Sequence, residues 1–213
     1  IPTLTDTICS GDVFVVTPQQ GVPNAATIIP VGTTYSWSAP VLPPGISGAA
    51  AGTNAPNISG SLTNTTLAAA TITYIVTPTS GISGNCVGQP FQVKITVKPR
   101  ASVSNNPLNQ SVCNGNTTTA VNWTSLSPGA TYAWTVVSSG SVTGFLPNGN
   151  GPTLGTMTLT NTGIAQDSVV YAITSTASAC AGAPTNYVIY VNPDAKASFA
   201  PQQDTACWPF FIN

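Results

Sequence analysis

The chain repeats itself at a spacing of about 97 residues, and this repeat limits its possible folds more than any other feature. A Tyr-x-Trp motif and a strand tyrosine each recur at that offset: Tyr35-Ser36-Trp37 as Tyr132-Ala133-Trp134, and Tyr74 as Tyr171. Because similar sequences fold into similar units, two tandem modules are predicted. We place the modules at residues 1–99 and 100–194. Residues 195–213 begin a third, truncated module or form a C-terminal extension.

The five cysteines follow the same repeat, with one pair in each module and one left over. This spacing predicts that each module closes its own disulfide, Cys9 with Cys86 and Cys113 with Cys180. Cys207 is then unpaired or forms an intermolecular bridge. The alternative is buried free thiols in a reducing cytoplasm, but random placement would not reproduce the spacing in both copies. The pattern therefore favours an oxidising, exported location.

Charged side chains make up only 4% of the chain, with four basic residues, five aspartates, no histidine and no glutamate. So few cations cannot neutralise a phosphate backbone or an anionic lipid surface, which argues against nucleic acid and membrane surfaces as partners. No apolar run reaches the ~18 residues that a membrane span requires, so direct membrane insertion is not expected. Three of the basic residues, Lys94, Lys98 and Arg100, cluster at the first module boundary. They serve an inter-module contact or protect a solvated strand edge.

Short segments rich in Val, Ile, Thr and aromatic residues alternate with Gly, Pro and Asn clusters, which predicts an all-β protein. About seven short strands in each ~97 residues are typical of an immunoglobulin-like sandwich. The fold class is therefore tandem immunoglobulin-like β-sandwiches, with one intramodule disulfide each. The predicted strands lie near 12–17, 33–39, 57–62, 70–78 and 90–98, and near 117–124, 130–138, 155–160, 167–176 and 185–192.

Four aromatic residues occupy positions where such a sandwich places its core: Tyr35, Trp37, Tyr132 and Trp134. Trp123 has no counterpart in the first module; it packs at the sheet edge or faces a ligand, as Trp208 could. Segments 40–57 and 138–154 differ between the copies and are rich in Gly, Pro, Asn and Ala. If the chain binds a ligand, these variable loops are where it is expected.

Each module ends in a short proline-containing connector, Lys98-Pro99-Arg100-Ala101 in the first and Asn192-Pro193-Asp194-Ala195 in the second. Proline restricts the hinge, and no Gly-Ser stretch follows to loosen it. The modules are therefore expected to form a semi-rigid rod.

The motifs together resemble the PKD-like modules of very large bacterial surface proteins. The resemblance covers the whole chain and rests on paired motifs: Ile-Cys-Ser-Gly (8–11) with Val-Cys-Asn-Gly (112–115), Asn-Cys-Val-Gly (85–88) with Ala-Cys-Ala-Gly (179–182), and Val-Lys-Ile-Thr-Val-Lys-Pro (93–99) with Ile-Tyr-Val-Asn-Pro (189–193). It implies an immunoglobulin-like sandwich in tandem array, in adhesins of gliding and related Gram-negative bacteria that use type IX secretion. It implies no enzymatic activity.

The resemblance also gives meaning to Asp followed by Thr or Ser and an apolar residue, which is similar to the O-glycosylation acceptor of those bacteria. Three of the five aspartates fit, which makes Thr7, Ser168 and Thr205 candidate modification sites. Coincidence in a chain rich in Thr and Ser is the alternative.

Catalysis by acid and base groups is disfavoured because the chain has neither His nor Glu and no evident Asp pair. No metal site or cofactor is predicted. The first hypothesis is a non-catalytic structural or adhesive repeat segment of an exported surface protein, acting as a stalk or a filament building block. Its partners would be neighbouring modules or like subunits. The alternative is a module that binds surface glycans or proteins through the variable loops or exposed aromatics.

Overall fold

The computed structural model describes residues 1–81 and 85–196, which form two similar β units that we call repeat 1 and repeat 2. Repeat 1 contains nine strands: β1 (Leu4–Cys9), β2 (Val13–Val16), β3 (Thr34–Trp37), β4 (Ile46–Ser47), β5 (Gly52–Ala55), β6 (Ile58–Ser61), β7 (Thr63–Asn64), β8 (Ala70–Thr79) and β9 (Phe91–Lys98).

Repeat 2 contains ten strands, because the hairpin before its last strand adds a short one: β10 (Asn109–Cys113), β11 (Val121–Asn122), β12 (Thr131–Ser138), β13 (Val142–Thr143), β14 (Asn148–Asn150), β15 (Thr153–Leu154), β16 (Thr160–Asn161), β17 (Asp167–Ala177), β18 (Cys180–Ala181) and β19 (Thr185–Asn192).

Each repeat has one large sheet and a second layer of short strand pairs. The large sheets have the orders β1-β9-β8-β3-β5 and β10-β19-β17-β12-β14. Their other pairings are antiparallel, but the first strand runs parallel to the last, β1 to β9 and β10 to β19. The pairs β2-β6 and β4-β7 in repeat 1, and β11-β15 and β13-β16 in repeat 2, form the second layer.

The core of each repeat lies between these two layers. In β9, Phe91, Val93, Ile95 and Val97 are buried and alternate with more exposed residues, as a half-buried strand requires. Tyr171 is fully buried, and its hydroxyl donates a hydrogen bond to the Leu146 carbonyl at 3.1 Å. Burial raises the pKa of Tyr171 to about 12, so the hydroxyl keeps its proton. The all-β class and the tandem immunoglobulin-like sandwiches are thus confirmed.

The tryptophan of each Tyr-x-Trp motif is covered by the backbone of an edge strand. Trp37 pairs with Gly52 in β5, and Trp134 pairs with Gly149 in β14. A side chain at either glycine would collide with the indole ring. These strands lie inside the segments 40–57 and 138–154, so parts of the predicted loops are ordered walls of the core.

The strand predictions missed β1 and β10, the two strands that pair in parallel. Their sequences, LTDTIC and NQSVC, are short and rich in polar residues, and Ile8 is the one residue of the two strands that is buried. The pattern therefore lacks the strong apolar alternation that marks β9. The prediction at 117–124 was also too long, since only Val121–Asn122 forms a strand there.

One buried asparagine fastens the layers together in each repeat. In repeat 1, the Asn64 side-chain amide donates to the carbonyls of Ala68 and Val97, at 2.8 and 2.9 Å. Its backbone N–H donates to Ser10 Oγ at 2.8 Å, in the turn that follows β1. The side chain thus connects β7 to the segment just before β8 and to the end of β9.

Asn161 makes the same contacts in repeat 2. Its amide donates to the carbonyls of Ala165 and Val191 at 2.8 and 2.9 Å, and its backbone N–H donates to Asn114 Oδ1. Asn64 and Asn161 are each only 5% exposed. If either side chain were removed, water could not readily donate to the carbonyls that it binds. The end of the sandwich that carries the connector is therefore held by a buried polar contact.

We predict that Asn161→Ala lowers the free energy of unfolding of repeat 2 by about 2 to 4 kcal/mol, because two buried carbonyls lose their donors. Urea unfolding followed by the fluorescence of Trp123 and Trp134 would measure this loss. Asn186→Ala is the matched control, since Asn186 is exposed in β19. Equal destabilisation by the two substitutions would contradict the assigned role.

Candidate functional site

The two repeats are joined by a disulfide between Cys9 and Cys180, which lie 171 positions apart in sequence and have their Cα atoms 5.5 Å apart. This corrects the predicted pairings of Cys9 with Cys86 and of Cys113 with Cys180. Cys86 and Cys113 are exposed and have no disulfide partner among the described residues. The bridge is therefore between repeats rather than within one.

The parallel pairing of the first and last strands explains why the predicted pairings fail. Cys9 lies opposite Lys98 at the end of β9, whereas Cys86 lies before the start of that strand. The length of β9 is about 23 Å at ~3.3 Å per residue. A disulfide requires Cα atoms within about 7 Å. Repeat 2 has the same geometry, because Cys113 lies opposite Asn192 at the end of β19.

Cys180 reaches repeat 1 from a tight hairpin between β17 and β18. The two central residues of the turn, Ser178 and Ala179, have φ values of 51° and 66°, the left-handed conformation that such two-residue turns require. Cys180 itself is only 1% exposed. The hairpin thus projects the thiol from repeat 2 to the turn after β1.

Arg100, in the connector, contacts both repeats with its guanidinium. Its Nε donates to the Ser10 carbonyl at 2.8 Å, and its Nη2 forms an ion pair with Asp12. Its Nη1 donates to the Ala181 carbonyl at 2.7 Å, next to Cys180. Lys98 adds a hydrogen bond from Nζ to the Ser178 carbonyl at 3.1 Å. Two of the three clustered basic residues, Lys98 and Arg100, therefore make an inter-module contact, one of the two interpretations open from the sequence.

The connector also packs closely against the hairpin. Ala101 is 1% exposed, and its carbonyl lies against Gly182, where any side chain would collide with it. The Gly182 N–H donates to the Ser175 carbonyl at 2.8 Å, which holds the hairpin in place. A disulfide, an ion pair, three further hydrogen bonds and this close contact thus brace one junction.

The structure buries the four predicted core aromatics, Tyr35, Trp37, Tyr132 and Trp134. It also buries Trp123, which is 4% exposed and contacts the rings of Trp134 and Tyr187 at centroid distances of 6.2 and 5.4 Å. Trp123 is therefore a core residue, which agrees with the packing interpretation and not with the ligand-facing one. Trp208, Cys207 and Thr205 lie outside the described residues.

The candidate acceptors Thr7 and Ser168 lie on strands, each after an aspartate with the same local contact. Asp6 Oδ1 accepts the Thr7 N–H at 2.7 Å, and Asp167 Oδ1 accepts the Ser168 N–H at 2.8 Å. Asp167 also accepts the N–H and the hydroxyl of Ser141, and these hydrogen bonds lower its pKa. Thr7 is exposed in β1, whereas Ser168 is half-buried in β17.

Sequence reasoning missed Asp12 and Gly182 as junction residues, because their neighbours come from distant parts of the chain. The only available signal was the clustering of basic residues near the connector. Residues 1–81 and 85–196 hold no group of three or more His, Cys, Asp or Glu that could bind a metal ion. Among the same residues, no helix has the length and apolarity to span a bilayer.

Comparison with known families finds a match to the model described as PKD-like domain, once over residues 6–101 and again over residues 110–195. Comparison with curated protein sequences finds no significant match.

Among solved structures, the chain is similar to Drosophila N-cadherin EC1-4, with 13% identity over 92% of this chain and 50% of that chain and a TM-score of 0.35. It is also similar to the titin I-band fragment I67-I69, with 12% identity over 89% of this chain and 62% of that chain and a TM-score of 0.33. Drosophila OTK extracellular domains 3-5 is a third, with 14% identity over 91% of this chain and 60% of that chain and a TM-score of 0.35. The chain spans less than two thirds of each of these structures. At such low TM-scores, only the family match carries weight.

We predict that peptide mapping under non-reducing conditions recovers a Cys9–Cys180 linked peptide. In a Cys207→Ser variant, iodoacetamide should alkylate Cys86 and Cys113 without prior reduction, because both thiols are exposed. Pepsin at low pH suits this experiment, since protonated thiols do not exchange disulfides. Recovery of Cys9–Cys86 and Cys113–Cys180 peptides would overturn the inter-repeat bridge.

Proposed function

The chain belongs to the PKD-like domain family, and from this premise we propose that it is a non-catalytic structural segment of an exported bacterial surface protein. It acts as a semi-rigid stalk or a filament building block. The observation that carries this proposal is the braced junction, in which Cys9–Cys180, Arg100 and Lys98 fix repeat 1 to repeat 2. A fixed junction suits a part that holds distance and direction.

The positions of the bridged cysteines also suit a part that bears load. Cys9 lies at the end of the first strand, and Cys180 lies just before the last strand. A force applied to the two ends of the chain passes from residue 9 directly to residue 180 through the disulfide. The residues between them carry little of the force while the bridge is intact.

The disulfide supports an exported location, because such bonds persist in oxidising compartments. The resemblance to modules of type IX-secreted adhesins is the basis for proposing a gliding or related Gram-negative bacterium as the source. The near absence of charge fits a surface whose ionisation barely changes with pH. The ligand-binding alternative is weaker in the described part of the chain, since Trp123 is buried.

We also propose that Thr7, Ser168 and Thr205 carry O-linked glycans in the native protein. In the described residues, the aspartate of each motif binds the N–H of its acceptor and so fixes a common local geometry. We expect glycopeptides at these three residues in mass spectra of native material, with Thr7 more fully occupied than Ser168 because Thr7 is exposed and Ser168 is half-buried. Unmodified peptides at all three positions would contradict the proposal.

We predict that the oxidised chain, pulled from its two ends in a single-molecule force experiment, shows no extension step from unfolding of a repeat. With the bridge reduced, two steps of about 300 Å each are expected, since ~90 residues at ~3.5 Å per residue are released from each repeat. The physical reason is that the intact bridge shields residues 10–179 from the force.

Matched variants separate the bridge from a general effect of the reductant. Cys9→Ser should show both steps without reductant, whereas the Cys86→Ser, Cys113→Ser double variant should show neither. Each variant is made in the Cys207→Ser background. Full-length steps from the oxidised parent chain would refute the load-bearing role.

A further inference from the structure

Each repeat carries a cysteine at two distinct positions. The turn cysteine is the last residue of the first strand, and the hairpin cysteine precedes the last strand. The internal bridge joins the turn cysteine of repeat 1, Cys9, to the hairpin cysteine of repeat 2, Cys180. The remaining pair has the complementary types, since Cys113 is a turn cysteine and Cys86 is a hairpin cysteine. Both are exposed, at opposite ends of the two-repeat unit.

The turn that holds Cys113 has the geometry of the turn that holds Cys9. After Cys9, the Ser10 N–H donates to the Lys98 carbonyl at 2.8 Å and the Gly11 N–H donates to the Leu62 carbonyl at 2.8 Å. After Cys113, the Asn114 and Gly115 N–H groups donate to the carbonyls of Asn192 and Leu159 at 2.9 and 2.8 Å. Cys113 is therefore presented as Cys9 is.

The described residues that flank Cys86 pair as those that flank Cys180 do, although the loop before Cys86 is three residues longer than the turn before Cys180. The bridge between Thr79 and Val87 corresponds to the pairing of Thr176 with Ala181. The N–H of Gly88 donates to the Pro78 carbonyl at 2.8 Å, as Gly182 does to Ser175. Gly88, like Gly182, follows the cysteine by two residues, in the position where the junction brings a connector close.

The surface around Cys86 is apolar, and none of the other described residues covers it. Val87 is 71% exposed and Ile28 is 72% exposed, and both line a pocket together with Cys86 and Ile1. Val31, which is 85% exposed, extends the apolar surface of this end. Clustered apolar residues of this kind on a chain with so few charges mark an interaction surface.

We propose that this surface binds the Cys113 end of a second copy of the chain, and that Cys113 of one copy forms a disulfide with Cys86 of the next. This inference rests on the proposed rod function and names its partner. Glutathione disulfide is a sufficient oxidant. The S–S bond between the two protein thiols forms as the S–S bond of glutathione disulfide breaks, and the two electrons and two protons pass to its sulfurs, which leave as two molecules of reduced glutathione. The contact is head-to-tail, so each addition leaves a free Cys86 and a free Cys113.

The proposed contact lacks the ionic part of the internal junction. Asn192 and Asp194 occupy the positions of Lys98 and Arg100 in the second connector, so neither side chain can supply the same cationic donors. The assembly should therefore depend on the disulfide and on apolar contact. It should separate in reductant, whereas moderate salt should have little effect.

A mixing experiment with full-length chains tests this directional pairing. In the Cys207→Ser background, the Cys86→Ser variant keeps Cys113 as its cysteine outside the internal bridge, and the Cys113→Ser variant keeps Cys86. In a glutathione redox buffer, each variant alone should stay monomeric, and their mixture should give a covalent dimer that grows no further. The chain with both cysteines should form a ladder of longer oligomers, and peptide mapping should identify the Cys86–Cys113 link.

A relocated thiol controls for random collision. A variant with three substitutions, Cys86→Ser, Cys113→Ser and Thr143→Cys, moves the thiol to an exposed position on β13. Mixed with the Cys113→Ser chain, it should give dimer at least about tenfold more slowly, because no stacked contact raises the local thiol concentration. Dimers from either single variant alone, equal rates with the relocated thiol, or no dimer in the mixture would each overturn the proposal. The force experiment tests the internal bridge independently, so the two failures are distinguishable.

Discussion

The parallel pairing of the first strand with the last is the constraint on which the rest of this structure depends. In β1-β9 and β10-β19, it places the end of the first strand beside the end of the last strand of the same repeat. The turn after the first strand and the connector therefore emerge at one end, and the hairpin before the last strand projects from the other. Every contact across the junction follows from this polarity, because the turn end of one repeat always faces the hairpin end of the next.

Several of the few charged side chains lie at the junction between the two repeats. A chain with 4% charged residues places Arg100, Lys98 and Asp12 together at one junction. Arg100 and Lys98 donate hydrogen bonds to the hairpin that also carries the disulfide. An exposed ion pair by itself stabilises little, about 0 to 1 kcal/mol. The Arg100 guanidinium contributes more by fixing the orientation of one repeat relative to the other. Its three nitrogens bind the turn after β1, the Asp12 side chain and the hairpin of repeat 2 at the same time. The buried Asn64 and Asn161 hold the same end of each sandwich from inside.

Local patterns predicted what depends on side-chain burial and missed what depends on strand direction. Alternating apolar residues in β9 and the recurring Tyr-x-Trp motif are properties of neighbouring residues, and they identified the sandwich and its core. The direction in which β1 pairs with β9 depends on residues more than 80 positions apart, and LTDTIC carries no strong apolar signal. The prediction of two cysteines in each repeat was therefore correct, but the predicted disulfide partners were wrong. The choice between a packing role and a ligand-facing role for Trp123 stayed open for a similar reason, because Tyr187, which packs on it, comes from the last strand.

The same polarity determines how a chain of such units would respond to tension. In copies joined as proposed, the covalent path enters at Cys86, follows β9, the connector and β10, and leaves at Cys113, 27 residues later. These residues span at most about 95 Å when fully extended. Much of the path already consists of extended strands, so little slack remains. Unfolding of the other strands would then add almost no length, and resistance to extension would come from covalent bonds rather than from the hydrogen bonds of a sheet.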